Sequence, residues 1–252
     1  MNFFIIIVFI TISLLTMYYF MMKYIQKQRS ELFLTREELL KFLLNDSDNF
    51  YSKLKPVDLS LRNVEDVDEY KKLLYNAADE FTVDEMRKLK VAMEECDHYL
   101  QRINKPGFNG FKCKNIPWKI GCIVGKEYEA GLPHTRGEVI VFPRYKLTQS
   151  DKMYTRTLIH ERIHIYQKKY PDDIQNYLKH NGYTRYKPIN RSKTRANPDI
   201  DEWTYTDKEG NVMSAEYKKD AKSLRDVTFA PKNTSEYEHP LEKMAIDIAR
   251  GY

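Results

Sequence analysis

The distribution of apolar residues separates an apolar N-terminal run from a longer mixed region. Residues 3–22 contain no charged side chain, and about twenty such residues are what an α-helix needs to cross a bilayer core of roughly 30 Å. A cleaved signal peptide would instead carry a basic start and a small-residue cleavage site. We therefore predict that residues 1–30 are a transmembrane anchor with its flank. The Lys and Arg residues after residue 22 favour a cytosolic location for the rest of the chain.

Residues 31–107 show apolar positions at helical spacing. Thr35 with Glu38, and Thr82 with Glu85, each fit a capping box, in which two side chains satisfy free amides at a helix N-terminus. These patterns predict a helical subdomain over residues 31–107. An exposed stalk is the alternative arrangement.

From residue 108 the pattern changes to glycine, proline and β-branched residues. Residues 116–124 and 138–142 are predicted strands of a small sheet. Residues 148–169 form the strongest helical pattern of this half, and Pro171 is expected to end it.

The C-terminal part continues with short elements. We predict a helix over residues 172–179, a hairpin that joins residues 203–206 to residues 212–217, and a last helix that begins near Pro240. The predicted fold class is therefore α+β. A transmembrane helix comes first, a helical subdomain follows, and residues 108–252 form one domain around a small sheet.

Composition adds few constraints. The chain has 252 residues, of which 31% are charged and 42% hydrophobic, with a formal net charge of +5; such values are typical of globular proteins. Acidic and basic residues are interspersed along most of the chain, so no field of one sign dominates and we expect no nucleic-acid partner. The most basic stretch, residues 179–195, is interpreted as a solvated loop, although it could meet an acidic substrate or phosphates.

The three cysteines do not indicate a disulfide framework or a cysteine zinc site. Their number is odd, and no two of them have CxxC spacing. A bond between Cys113 and Cys122 across a hairpin remains open.

The chemistry is carried by an HExxH motif inside the predicted helix over residues 148–169. His160 and His164 are one turn apart and share a helix face, so that both imidazoles can bind one zinc ion. Glu161 can reach a water on that metal without being a ligand, which makes it the candidate general base. Apolar neighbours argue against two ordinary surface histidines.

A catalytic zinc takes three protein ligands and keeps one position open. Glu242 lies in the first turn of the predicted last helix and is the chosen third ligand, with Glu238 and His239 as rivals. Acidic residues at that place also suit helix capping alone. If Glu242 binds zinc, Glu238 is expected to orient a histidine.

Over roughly residues 131–249 the sequence resembles the zincin metallopeptidases, and HExxH followed by a distant glutamate resembles the gluzincin group. HExxHxxQ at residues 160–167 and EHPxExxA at residues 238–245 are similar to blocks in poorly characterised peptidase-like families, some from large DNA viruses. The resemblance implies zinc on His160, His164 and Glu242, with Glu161 as base. It also implies that residues 138–142 form an edge strand that pairs with an extended peptide.

The expected function is hydrolysis of peptide bonds by zinc-activated water in a single-pass membrane protein, in a host or virion membrane if the source is viral. The expected partners are a peptide or protein substrate and the membrane. The alternative is a non-catalytic membrane or virion protein that retains a zincin scaffold. A module that binds nucleic acid or anionic lipid through residues 179–195 ranks last.

Overall fold

A computed structural model describes residues 12–19, 32–230 and 238–252. Within these ranges, no helix combines the length and the apolar character that crossing a membrane requires. Residues 12–19 are helical, but eight residues extend only about 12 Å along a helix axis. The predicted transmembrane helix, and the single-pass membrane location based on it, are therefore wrong for the described part of the chain. Residues 3–11 and 20–22 of that prediction lie outside the described residues.

The N-terminal half is mainly helical and contains four strands. Its helices are α1 (Arg36–Asn45), α2 (Pro56–Ser60), α3 (Val67–Ala77), α4 (Val83–Leu100) and α5 (Gly110–Lys114). Its strands are β1 (Ala78–Asp79), β2 (Asn104–Lys105), β3 (Phe108–Asn109) and β4 (Ile120–Ile123). Both predicted capping boxes are present, at Thr35 before α1 and at Thr82 before α4.

The C-terminal half contains the remaining strands and the long central helix. Its helices are α6 (Asp151–Lys169), α7 (Pro171–His180) and α8 (Pro240–Arg250). Its strands are β5 (His134–Arg136), β6 (Val139–Pro143), β7 (Thr184–Pro188), β8 (Trp203–Thr206), β9 (Val212–Tyr217) and β10 (Val227–Ala230). The fold is thus α+β, and the predicted hairpin is confirmed as β8 and β9.

The main sheet has the strand order β1-β4-β6-β5. Strand β4 is parallel to β6, whereas the β1–β4 and β5–β6 pairs are antiparallel. Every residue of β6 is buried, because both faces of the sheet are covered. Since β1 comes from the predicted helical subdomain, residues on both sides of position 107 contribute to one sheet.

Helices cover the sheet in two layers. Ile140 and Phe142 of β6 face a core formed with α4, α6 and α8, whereas Val139 and Val141 face a core formed with α1 and α3. The alternation follows from the two-residue period of a strand. All three cysteines are buried and free, so Cys113 and Cys122 do not form a disulfide.

A second sheet lies later in the chain. It is an antiparallel meander with the order β10-β9-β8-β7. The basic stretch, residues 179–195, supplies β7, whose residues are all exposed. Two of its arginines pair with carboxylates, Arg191 with Glu202 and Arg195 with Glu238.

Candidate metal centre

Helix α6 positions the HExxH residues at the centre of the molecule. It packs against α4, α8 and the main sheet, which explains why its sequence has no continuous polar face. Every residue from Leu158 to Gln167 except His160 is buried. The motif histidines therefore lie on a rigid element, and His160 is the one that opens toward solvent.

The first turn of α8 brings Glu242 to these histidines. Pro240 occupies the first helical position, and the side chain of His239 caps the helix by accepting from the Leu241 amide. Glu242 follows in the same turn, where a negative charge is favourable. Its Oε2 lies 3.4 Å from His160 Nε2 and 3.6 Å from His164 Nε2.

The three side chains form a donor set that fits a divalent cation. Their ligand atoms all lie within 4.8 Å of one another, and the two Nε2 atoms are 3.0 Å apart. In a tetrahedral zinc site with bonds of about 2.0–2.1 Å, ligand atoms lie about 3.3 Å apart. Two imidazole nitrogens and a carboxylate oxygen are also a known ligand set of catalytic zinc.

Gln167 fixes the tautomer of His164. The amide nitrogen of Gln167 donates to the Leu241 carbonyl at 2.9 Å, so its Oε1 points toward His164 Nδ1, also at 2.9 Å. Nδ1 must then carry the proton, and the lone pair of Nε2 faces Glu242. The same amide joins α6 to the first turn of α8.

Asn197 orients Glu242 from the other side. Its Nδ2 donates to Glu242 Oε1 at 2.8 Å and to Glu238 Oε1 at 2.5 Å. Because Oε1 of Glu242 is engaged in this way, Oε2 is the oxygen presented to the histidines.

The rival ligands have other contacts. Glu238 accepts from Arg195 and Asn197. The ring of His239 uses Nδ1 for the helix cap and directs Nε2 toward Asp201 and the Trp203 carbonyl, each at 3.2 Å. The expectation that Glu238 orients a histidine is wrong, because its hydrogen bonds go to Arg195 and Asn197, while Gln167 contacts His164.

Glu161 is buried beside the cluster and lines the same cleft as His160. Its Oε2 has no hydrogen-bond partner among the described residues. A buried carboxylate oxygen without a partner is costly, and this oxygen is therefore available to accept a hydrogen bond from a molecule bound in the cleft. Burial, and then the charge of Asp199, raise the pKa of Glu161 well above its ordinary value.

The charges around His164 favour a cation at this point. Burial alone would lower the pKa of His164, but the carboxylates of Asp199 and Glu242 raise it. Conversely, burial would raise the pKa of Glu242, while His164 and His160 lower it well below its ordinary value. Two carboxylates, Asp199 and Glu242, thus act on the buried ring of His164, and a cation at this point would interact favourably with both.

Strand β5, not β6, is the sheet edge nearest the cleft. The prediction that residues 138–142 form the edge is wrong, because β6 lies between β4 and β5. The Thr135 amide on β5 donates to Asp199 at 3.0 Å, and its carbonyl accepts from Lys168 at 2.9 Å. Both main-chain groups at the middle of this edge therefore already have partners within the chain.

A cleft of about 420 Å³ opens onto the cluster. His160, Glu161 and Glu242 line it together with Asn197 and Asp199. Its size is within the range of sites that hold small ligands or a few residues of a peptide.

Sequence reasoning did not identify Asn197 and Asp199, and it considered Arg195 only as the last residue of the basic stretch, residues 179–195. Arg195, Asn197 and Asp199 occupy every second position of a segment that lies outside the helices and strands. Alternation directs every second side chain to the same side of an extended chain. Three polar residues at alternate positions, with Pro198 between the last two, are the signal that could have identified this part of the site.

Comparisons with protein-family models, with curated proteins and with solved structures each found no match to this chain. The functional argument accordingly depends on the geometry of the residues themselves.

Proposed function

We propose that the protein is a zinc-dependent peptidase, with the metal held by His160, His164 and Glu242. The observation that carries the proposal is the convergence of these ligand atoms next to the partnerless carboxylate oxygen of Glu161. The resemblance of the HExxH motif to zincin peptidases supports a peptide bond as the substrate.

The chain's own residues have separate roles in this proposal. A zinc ion at the three ligands would supply Lewis-acid activation of water and of the scissile carbonyl. Glu161 accepts the proton of the attacking water and transfers it to the leaving amine nitrogen.

The supporting residues hold this arrangement. Gln167 keeps the Nε2 lone pair of His164 directed toward the ligand cluster. Asn197 keeps Oε2 of Glu242 directed toward the histidines. Such outer contacts commonly change metal affinity or activity by about 10- to 100-fold when they are removed.

The proposal is tested by replacing Glu161 with Gln in the full-length chain. Peptide hydrolysis is followed on a mixed peptide pool by mass spectrometry, and zinc content is measured on the same samples. We expect hydrolysis to fall by at least about 10²-fold while zinc content stays at the wild-type level. Full activity of Glu161→Gln would contradict the assigned role of the base.

Zinc content also separates the enzyme from the non-catalytic alternative. A chain that retains a peptidase scaffold for structure alone is expected to fold without metal. If the wild-type chain folds, binds no zinc and hydrolyses no peptide, the non-catalytic interpretation is correct.

A further inference from the structure

We infer that the cleft contains a cationic subsite, formed by Lys146 and Arg156, that binds a carboxylate of the substrate. This inference rests on the proposed peptidase function and assigns a substrate class to it. The carboxylate belongs either to an acidic side chain or to the free C-terminus of the peptide.

The position of Arg156 places the subsite next to the reacting groups. Arg156 and His160 line the same cleft and are four residues apart on α6, which is roughly 6 Å along the helix axis. An extended peptide advances about 3.3 Å per residue. A carboxylate at Arg156 therefore comes from a residue about one or two positions from the scissile bond.

Arg156 lacks a partner for its charge. Its Nε is buried without a hydrogen bond, and no carboxylate among the described residues forms an ion pair with it. A guanidinium offers donors in a planar fork that matches a carboxylate. The guanidinium of Arg156 is thus partly buried and unpaired, and its donors can bind an anion.

Lys146 adds a second cation from a different element. It lies in the 3₁₀ helix Arg144–Thr148 and lines the same cleft. Within the described part of the chain its charged group contacts the ring of Tyr145 and forms no ion pair. Arg250, on α8, also lines this cleft.

Three of the four acidic residues that line the cleft have partners other than Lys146 and Arg156, and the fourth, Glu161, forms no ion pair with either cation. Both carboxylate oxygens of Glu129 bind Arg62, and Glu242 faces the histidines. Asp199 binds Thr135 and Lys168. The cations Lys146 and Arg156 therefore remain available to a ligand, and they would repel a lysine or arginine side chain at the same place.

Three peptide pools test the inference. All are fluorescein-labelled hexapeptides with randomised neutral residues: one carries a fixed Glu and a C-terminal amide, the second a fixed Gln and an amide, and the third a fixed Gln and a free C-terminal carboxylate. Binding is measured by fluorescence anisotropy on full-length, zinc-loaded Glu161→Gln protein. Hydrolysis of the same pools is measured on the wild-type chain.

We expect the Glu pool or the free-carboxylate pool to bind about 10- to 100-fold more tightly than the neutral pool. The pool that binds more tightly shows whether the carboxylate comes from an acidic side chain or from the C-terminus of the peptide. In the Glu161→Gln background, Arg156→Gln and Lys146→Gln should each remove most of this preference. Lys152→Gln, an exposed position on the same helix, is the matched control and should leave it unchanged.

Equal affinity for the three pools, or no binding of any pool, would overturn the inference. Hydrolysis of all pools at the same rate would contradict the subsite but support the peptidase function. If the protein prefers a carboxylate in binding but the wild-type chain hydrolyses no pool, the result would support the subsite and contradict the proposed peptidase function.

Discussion

At the residue scale, the candidate centre depends on how side-chain amides direct the ligand atoms. An imidazole can present either nitrogen to a metal, and a carboxylate either oxygen. Gln167 removes this freedom for His164, and Asn197 removes it for Glu242. The amide of Gln167 also bonds to Leu241, and the amide of Asn197 also bonds to Glu238. The orientation of each amide is therefore fixed.

Replacing Gln167 tests this role. In Gln167→Leu, His164 loses the acceptor for Nδ1, and we expect zinc affinity to fall about 10- to 100-fold. The measurement is competition with a chelator of known affinity. Gln167→Glu keeps an acceptor at this position and should retain more of the affinity than Gln167→Leu. Equal affinities of wild type and Gln167→Leu would show that the amide does not direct the ring.

At the element scale, the N-terminal helices are tied to the cleft by a buried ion pair. Arg62, in the turn after α2, donates to both oxygens of Glu129 at 2.7 and 2.8 Å, and Tyr70 of α3 donates to the same carboxylate. Glu129 itself lines the cleft. Burial would raise the pKa of Glu129, but the charge and hydrogen bonds of Arg62 lower it from 4.5 to about 2.

This shift predicts a dependence of stability on pH. A carboxyl whose folded-state pKa is lowered contributes stability above its unfolded pKa of about 4.5, and this contribution disappears as pH falls toward about 2. At pH 7, Glu129→Gln should lose about 3 kcal/mol in the free energy of unfolding.

Urea unfolding of wild type and Glu129→Gln between pH 7 and pH 2 measures this difference. The gap between the two proteins should narrow below about pH 4.5. Glu94→Gln, an exposed position on α4, should unfold like the wild type throughout. A gap that stays constant down to pH 2 would contradict the assigned ion pair.

Local signals in the sequence predicted where helices and strands occur better than how these helices and strands are arranged in space. Capping at Thr35 and Thr82, and proline at position 240, depend on neighbouring residues, so the helix starts they mark were predictable. The order of strands depends on pairing between distant segments, and hence the edge was assigned to β6 instead of β5. The contacts of Asn197 and Gln167 likewise depend on how α6, α8 and a loop meet.

At the scale of the whole molecule, the candidate site links the long central helix α6 to the last helix, α8. His160 and His164 lie on α6, whereas Glu242 comes from the last helix. A cation bound by all three would connect these helices in the folded state and not in the unfolded one. Metal binding and folding stability are therefore coupled.

Zinc should consequently stabilise the folded chain. At a free zinc concentration about 100 times the Kd, the free energy of unfolding should rise by about 2.7 kcal/mol. Chemical unfolding in buffers of fixed free zinc measures this increase. His160→Ala should abolish the dependence, whereas His98→Ala, which removes an exposed histidine on α4, should retain it. A zinc-independent midpoint for the wild type would contradict the coupling.

The central claim is that His160, His164 and Glu242 together bind zinc, and zinc X-ray absorption spectroscopy of the purified, zinc-loaded chain tests it most directly. The account predicts one zinc per chain, surrounded by nitrogen and oxygen at about 2.0–2.2 Å with an imidazole signature that weakens in His164→Ala. A sulfur shell at about 2.3 Å, or no bound zinc in the folded chain, would contradict it.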